Sequence, residues 1–354
     1  MKRMKKRQIK ARPIEFSFDD KQVVSDLLKT LSKRAREVVV DRFGLGTKTA
    51  RETLESIGER SGITRERVRQ IETLALQHIR ASEAFKEHMA VFTEIQAKVA
   101  SLGAVISEDE LLSHMAGDQK KRNRFRFLFT LDTQFIREKE TEEFFARWHV
   151  DKKTADMVHT ALTKLYAALP DNDVIEEGDL ISRFMRELGD VNSEYQQDEV
   201  LKRWLSLSKN IASNPLMKWG RAHIDQIKIK GIRDYAYLVV KNHNEPIHFK
   251  EVASMISKLF AKKAHVATTH NELMKDDRFV LVGRGQYALK EWGYEPGVVK
   301  DVIADVLGKK SMTKAEVLEA VKKRRFVKDN TILVNLNNPK FFKRYKDGTY
   351  SLIS

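Results

Sequence analysis

Arg65, Glu66, Arg69 and Gln70 fall at i, i+1, i+4 and i+5 on the first turns of a helix predicted to start after Thr64. At that spacing the four side chains share one side of a helix end, away from the apolar stripe Val68, Ile71, Leu74, Ala75 and Ile79. Their chemistry suits the edges of base pairs in a DNA major groove. Arginine matches the two acceptors of guanine, glutamine the donor and acceptor of adenine, and glutamate the amino group of cytosine. The same four residues also make an ordinary solvated face, and spacing alone leaves both readings open.

The elements that must position them have clear punctuation. Thr53 is a predicted N-cap for a short helix, Ser61-Gly62 breaks it, and Thr64 caps the longer helix that carries the four residues. Upstream, Val24, Leu27, Leu28 and Leu31 give a helical apolar face, and a second helix is predicted between Ser32 and Gly44. Helix, glycine-containing turn and capped helix is the outline of a helix-turn-helix.

The string RFGL followed by TLESIGERSGITRERVRQIETLAL resembles region 4 of sigma-70-type factors, over residues 27–80. The resemblance implies that Arg65, Glu66, Arg69 and Gln70 contact a minus-35 promoter element and that Thr53 contacts the phosphate backbone. It also implies double-stranded promoter DNA and bacterial RNA polymerase as partners. In the family, apolar residues of the first helices grip the flap of the polymerase β subunit; Leu31, Val38 and Leu45 lie in that area. The connector GTKTARE departs from the family in lacking its acidic turn. The stretch before Val23 leaves no room for the family's promoter-melting domain, so the expectation is a protein that does not start transcription by itself.

Beyond residue 85 a pattern recurs: apolar helix, short link, capped helix, further helix, then two strands around a turn. SMTKAEVLEAV aligns with PIHFKEVASMI, and FFKRYKDGTYSL with FVLVGRGQYAL; Arg284-Gly285 and Asp347-Gly348 fall at the expected hairpin tips. Three helices and a hairpin wing describe a winged helix. Residues 231–292 resemble the HARE-type helix-turn-helix module, also found in the polymerase delta subunit. Fainter copies begin near ISEDELLSHM, with RFLFTLDTQFIREKETEEFFARW as the ending, and near IEEGDLISRFM, ending NPLMKWGRAHID. The organisation expected is a disordered basic tail (1–22), the helix-turn-helix (23–82), and winged helices at 85–150, 151–228, 229–293 and 294–354. The fold class is therefore mainly α, with tandem helix-turn-helix and winged-helix domains carrying short β-hairpin wings.

Charge follows the same division. Residues 1–82 carry 20 basic and 11 acidic side chains, 83–225 carry 20 and 25, 226–299 carry 12 and 8, and 300–354 carry 13 and 6. Basic ends suit a polyanion, because a cation on a phosphate releases counterions; the acidic middle suits a spacer or a protein contact. In the last module Lys322, Lys323, Arg324, Arg325, Lys343, Arg344 and Lys346 form a basic cluster, with Lys343, Arg344 and Lys346 the candidates for phosphate contact if it is not a protein-docking face.

Other function classes find little support. The chain has no cysteine, which excludes disulfides and thiolate metal sites. GLGTKT lacks the order and spacing of a P-loop, His243/His248 and His265/His270 are five apart with no HExxH pattern, and no G-x-S-x-G occurs. No run of about 18 apolar residues is present to cross a bilayer. The expectation is a cytoplasmic, non-enzymatic regulator of transcription without cofactor or metal; the alternative is a polymerase accessory subunit acting through protein contacts.

Overall fold

Side-chain caps set where the first helices begin. In the computed structural model, which describes residues 14–294 and 298–353, helix α1 (Asp20–Lys29) starts behind Asp19, whose carboxylate accepts from the backbone N–H of Lys21. Helix α2 (Lys33–Phe43) follows Ser32 and stops at Gly44, α3 (Leu54–Ser61) follows Thr53, and α4 (Arg65–Ala81) follows Thr64. Each of these three hydroxyls accepts from a backbone N–H three residues on, supplying a partner that the helix itself lacks. Gly44 closes α2 at φ +65°, a left-handed conformation that glycine adopts without strain.

The chain is mainly α, with small three-stranded antiparallel sheets, as expected of helix-turn-helix and winged-helix domains. It forms two compact units, one running to Ser213 with Lys218–Ala222 added, the other made of Asn214–Met217 and the chain from His223 onward.

In the first unit α1–α4 are followed by α5 (Glu83–Glu87), α6 (Met89–Ser101), β1 (Val105–Ser107), α7 (Glu108–Met115), α8 (Gln119–Leu131), β2 (Ile136–Glu138) and β3 (Arg147–His149). Then come α9 (Lys152–Ala168), β4 (Ile175–Glu176), α10 (Glu177–Leu188), α11 (Asp198–Leu205), β5 (Ile211–Ser213) and β6 (Lys218–Arg221). The second unit holds α12 (Ile232–His243), β7 (Ile247–His248), α13 (Phe249–Phe260), α14 (Val266–Lys275), β8 (Phe279–Leu281) and β9 (Gln286–Leu289). It continues with α15 (Val299–Leu307), β10 (Met312–Thr313), α16 (Lys314–Arg324), α17 (Asp329–Leu336), β11 (Phe342–Arg344) and β12 (Thr349–Leu352).

The hairpin expected at the end of each copy has a third strand in every case. The orders are β1-β3-β2, β4-β6-β5, β7-β9-β8 and β10-β12-β11, so the short strand just before the second helix always pairs with the last strand. Gly285 and Gly348 turn their hairpins at φ +71° and +84°.

Three expectations need correction. Residues 1–13 of the tail lie outside the described residues, but the chain is packed from Ile14 on: Phe16 and Phe18 rest on Phe125, and Ile14 N–H donates to the carbonyl of His114. Second, RFLFTL does not begin a wing. Its alternating phenylalanines are on helix α8, which is buried on two sides: Phe125 and Phe129, one helical turn apart, meet Phe16 and Trp148, while Phe127 meets Phe43 of α2. Burial on both faces removes the single apolar stripe by which a helix is recognised. Third, Leu74 is 62% exposed, because Ala75, Ile79 and Val68 fill the inward face of α4 and Leu74 points to its side.

The helix-turn-helix does not close its core alone. Leu27, Leu31, Val39, Phe43, Ala75 and Ile79 share one cluster with Phe92, Phe125, Phe127 and Leu128. Helix α8 packs against α1, α2 and α4. Helix α11 is held in the same way to the segment around α6 and α7: Arg203 reaches Glu110 and the carbonyl of Leu102, and Trp204 Nε1 donates to the carbonyl of Gly103.

Candidate nucleic-acid interface

A small core of Val38, Ile57 and Val68, lined by Leu54, Ile63 and Ile71, fixes α3 against α4. Their close approach depends on Gly58: a Cβ there would meet the carbonyl oxygen of Ile63 at 2.6 Å. Arg60 ties α3 back by pairing with Asp41 at 2.5 Å and Glu52 at 2.6 Å. Arg42 does the same for α4, donating to the carbonyl of Glu52 at 3.1 Å and pairing with Glu72 at 3.3 Å. The partly buried Glu72 carboxyl is raised from its usual range by loss of solvent, with Arg42 opposing.

On this frame Arg65, Glu66, Arg69 and Gln70 are all exposed on the N-terminal half of α4. Arg69 binds Glu66 with both arms of its guanidinium, Nε to Oε2 at 2.8 Å and NH2 to Oε1 at 2.7 Å. The Glu66 carboxyl is lowered first by that hydrogen bond, and the Arg69 guanidinium is raised by the same contact. Both groups are open to water, so the pair contributes little to stability. Arg67, which helical spacing does not single out, donates to Gln70 Oε1 at 3.1 Å and so links the glutamine to the same surface. Arg65 makes no hydrogen bond or ion pair among the described residues. Thr53 Oγ accepts from Ser56 N at 3.1 Å, which leaves its own hydrogen available to an anion.

The basic cluster of the last domain is only partly brought together. Lys322 pairs with Asp329, Lys323 with Glu319 at 2.7 Å, and Arg325 is buried, which lowers its guanidinium from the usual range. Lys343 and Arg344 on β11 and Lys346 in the turn after it are exposed. Lys343 and Arg344 lie 5.4 and 5.8 Å from the ring centres of Tyr345 and Tyr350.

The sequence of the segment that forms α1–α4 has counterparts among known proteins. Residues 27–81 match the sigma-70 region 4 family. The chain is 47% identical over 60 residues to the RNA polymerase sigma factor SigA of a Bacillus species, covering 17% of this chain and 16% of that protein. It is 53% identical over 53 residues to the RNA polymerase sigma factor RpoS of Coxiella burnetii, covering 15% of each chain. The likeness thus spans less than a fifth of either relative and is confined to the region 4-like module. That module contains Thr53, the exposed face of α4, and Leu31, Val38 and Leu45. Of these last three, Leu31 and Val38 are buried in the protein's own cores and Leu45 is half-buried. Among the described residues no helix is long and apolar enough to cross a membrane.

Proposed function

We propose that this chain is a DNA-binding transcription regulator that reads a minus-35-like promoter element with α4 and contacts RNA polymerase. The observation that carries this reading is the exposed, capped N-terminal half of α4 in a region 4-like module, with Arg65, Glu66, Arg69 and Gln70 on one face. Arg69 and Gln70 have the donors and acceptors to read base edges in the major groove, and the Thr53 hydroxyl a hydrogen for a phosphate. No step in this function calls for a catalytic group, a metal or a cofactor.

A second reading, a polymerase accessory subunit working through protein contacts, is favoured by the burial of α8 and α11. Third helices of winged-helix domains that are packed on a neighbouring domain are not open to a DNA groove. The HARE-type likeness of residues 231–292 to the polymerase delta subunit points the same way. Leu31 and Val38 are taken up by the protein's own cores, so polymerase contact by this module is better assigned to its exposed surface.

The experiment is equilibrium binding of the full chain to duplexes with and without a minus-35 element. Arg69→Ala is expected to weaken binding to the preferred site by about 1–3 kcal/mol and to flatten sequence preference. Equal losses on preferred and random duplexes would exclude base readout by α4.

A further inference from the structure

Helices α8 and α11, each followed by a hairpin, are packed on neighbouring elements, whereas α17, which is also followed by a hairpin, keeps a free outer side. Ile332 and Leu336, one turn apart, fasten it to a core made with Val302 and Ile303 of α15 and Val317 and Val321 of α16. On the opposite side Asn330 and Val334, also one turn apart, are exposed, with Thr331 beside them. Val334 is 67% exposed, more than any other large apolar side chain among the described residues.

A helix face kept merely in water is commonly charged, as α16 is at Lys314, Glu316, Glu319, Lys322, Lys323 and Arg324. Helix α17 has one charged residue, Asp329, and Lys322 takes it. Asparagine, threonine and valine are poor helix formers, so this neutral face weakens the helix that carries it. A local choice that opposes the fold is expected where a site needs it. One aliphatic side chain among amides and a hydroxyl lacks the aromatic or arginine anchor of a protein-binding hot spot. It suits a base pair: asparagine binds the N6 and N7 of adenine, and an apolar group meets the methyl of thymine.

Cations stand at both ends of this face. At its start Lys328 is exposed and hairpin β8–β9 comes close: a Cβ on Gly283 would lie 3.8 Å from the carbonyl oxygen of Phe326, and the next residue, Arg284, is exposed. At its end the Tyr350 hydroxyl donates to Asn337 Oδ1 at 3.1 Å, and the Arg344 guanidinium lies 5.8 Å from the centre of the same tyrosine ring. Residues 326–354 carry five basic and two acidic side chains; besides Asp329 there is Asp347, which accepts from Thr349. Positive charge flanking a neutral, hydrogen-bonding helix face complements a groove between two phosphate backbones.

We propose that α17 enters the major groove of duplex DNA and reads an A·T pair, Asn330 on the adenine and Val334 on the thymine methyl group, with Arg284 and Arg344 on flanking phosphates. This site goes beyond the reading of α4 and does not depend on it.

The test uses the full chain with Arg69→Ala/Gln70→Ala, which removes the base contacts proposed for α4, to select duplexes from a random pool. The selected duplexes are expected to share a motif containing A·T pairs. Uracil in place of thymine, which removes only the methyl group, is expected to weaken binding of the selected duplex about fourfold, the worth of one buried methyl group. In Val334→Ala that difference is lost, and in Asn330→Ala discrimination against a G·C pair falls about fivefold or more. Both changes put a better helix former on an exposed face, so the unfolding midpoint stays level or rises while binding falls. Absence of a shared motif, equal binding of thymine and uracil duplexes, or a motif selected unchanged by Asn330→Ala/Val334→Ala would each overturn the proposal. So would a double variant that keeps the motif and no longer pulls down RNA polymerase, which would make this face a protein contact. A motif lost with the two α17 residues stands whether or not α4 reads a minus-35 element.

Discussion

Asn123 on α8 donates its side-chain amide to two backbone carbonyls far away in sequence, Gly44 at 3.0 Å and Thr49 at 2.9 Å. The asparagine is completely buried, and both acceptors belong to the turn that ends α2 and leads to Thr53. A polar group of α8 thus fixes the approach to α3. Asn123→Ala leaves both carbonyls without that donor, and a buried acceptor left unsatisfied costs about 1–3 kcal/mol. Denaturant unfolding of the full chain is expected to show the first unit destabilised by about 2 kcal/mol or more. An unchanged midpoint would show that the turn holds its shape without α8.

Gly103 and Trp204 form the next joint. Gly103 has φ +105°, and a Cβ there would lie 2.6 Å from Val200 Cγ1 and 3.0 Å from Trp204 Nε1. Gly103→Ala therefore combines an unfavourable backbone conformation with displacement of α11 and is expected to cost about 2–4 kcal/mol. A shift of tryptophan emission towards that of a solvated indole, read alongside unfolding, locates the damage at Trp204. Wild-type stability in this variant would mean that α11 is not anchored there.

The parts of this arrangement legible in the sequence are those set by local chemistry. Ser32, Thr53 and Thr64 act as caps because a hydroxyl one residue before a helix has N–H groups to bind, and Gly44, Gly285 and Gly348 adopt positive φ where the sequence predicts a stop or a tight turn. The exposed placement of Arg65, Glu66, Arg69 and Gln70 also follows from helix period. What is not legible depends on neighbours far away in sequence. The strand Ile175–Glu176 is too short to show alternation, and it exists through pairing with Trp219 and Lys218. Helix α8 hides behind Phe125, Phe127 and Phe129, which alternate like a strand because partners on both of its sides, Phe16 and Trp148 on one and Phe43 on the other, receive them.

His159 provides a pH test of the first unit. Arg147 Nε donates to its Nε2 at 2.6 Å, so that nitrogen must be an unprotonated acceptor. Burial first, and then the Arg147 charge, push the imidazole down from its usual 6.5 to about 4. Between these values the unfolded chain binds more protons than the folded one, so stability falls as pH drops from about 6.5 to about 4. His159→Gln keeps an acceptor for Arg147 and removes the titration. Its Tm is expected to decline less than that of the wild type over that window; parallel curves would mean that His159 protonates freely in the folded protein.

The wing of the last domain offers a DNA contact that can be separated from base reading. Lys343, Arg344 and Lys346 are exposed along β11 and its turn, whereas Lys322 and Lys323 are engaged by Asp329 and Glu319 and Arg325 is buried. If this surface neutralises phosphates, changing the three wing residues to Ala makes the salt slope of the full chain on random duplex shallower, by about 0.9 for each phosphate no longer neutralised. Lys322→Ala/Lys323→Ala, which removes two cations already opposed by carboxylates, is expected to change that slope less. The preference for a minus-35 element over random sequence should survive both changes, since neither touches α4. An identical slope in wild type and wing variant would instead assign the wing to solvent or to a protein partner. DNA binding by the chain would then rest on the region 4-like module.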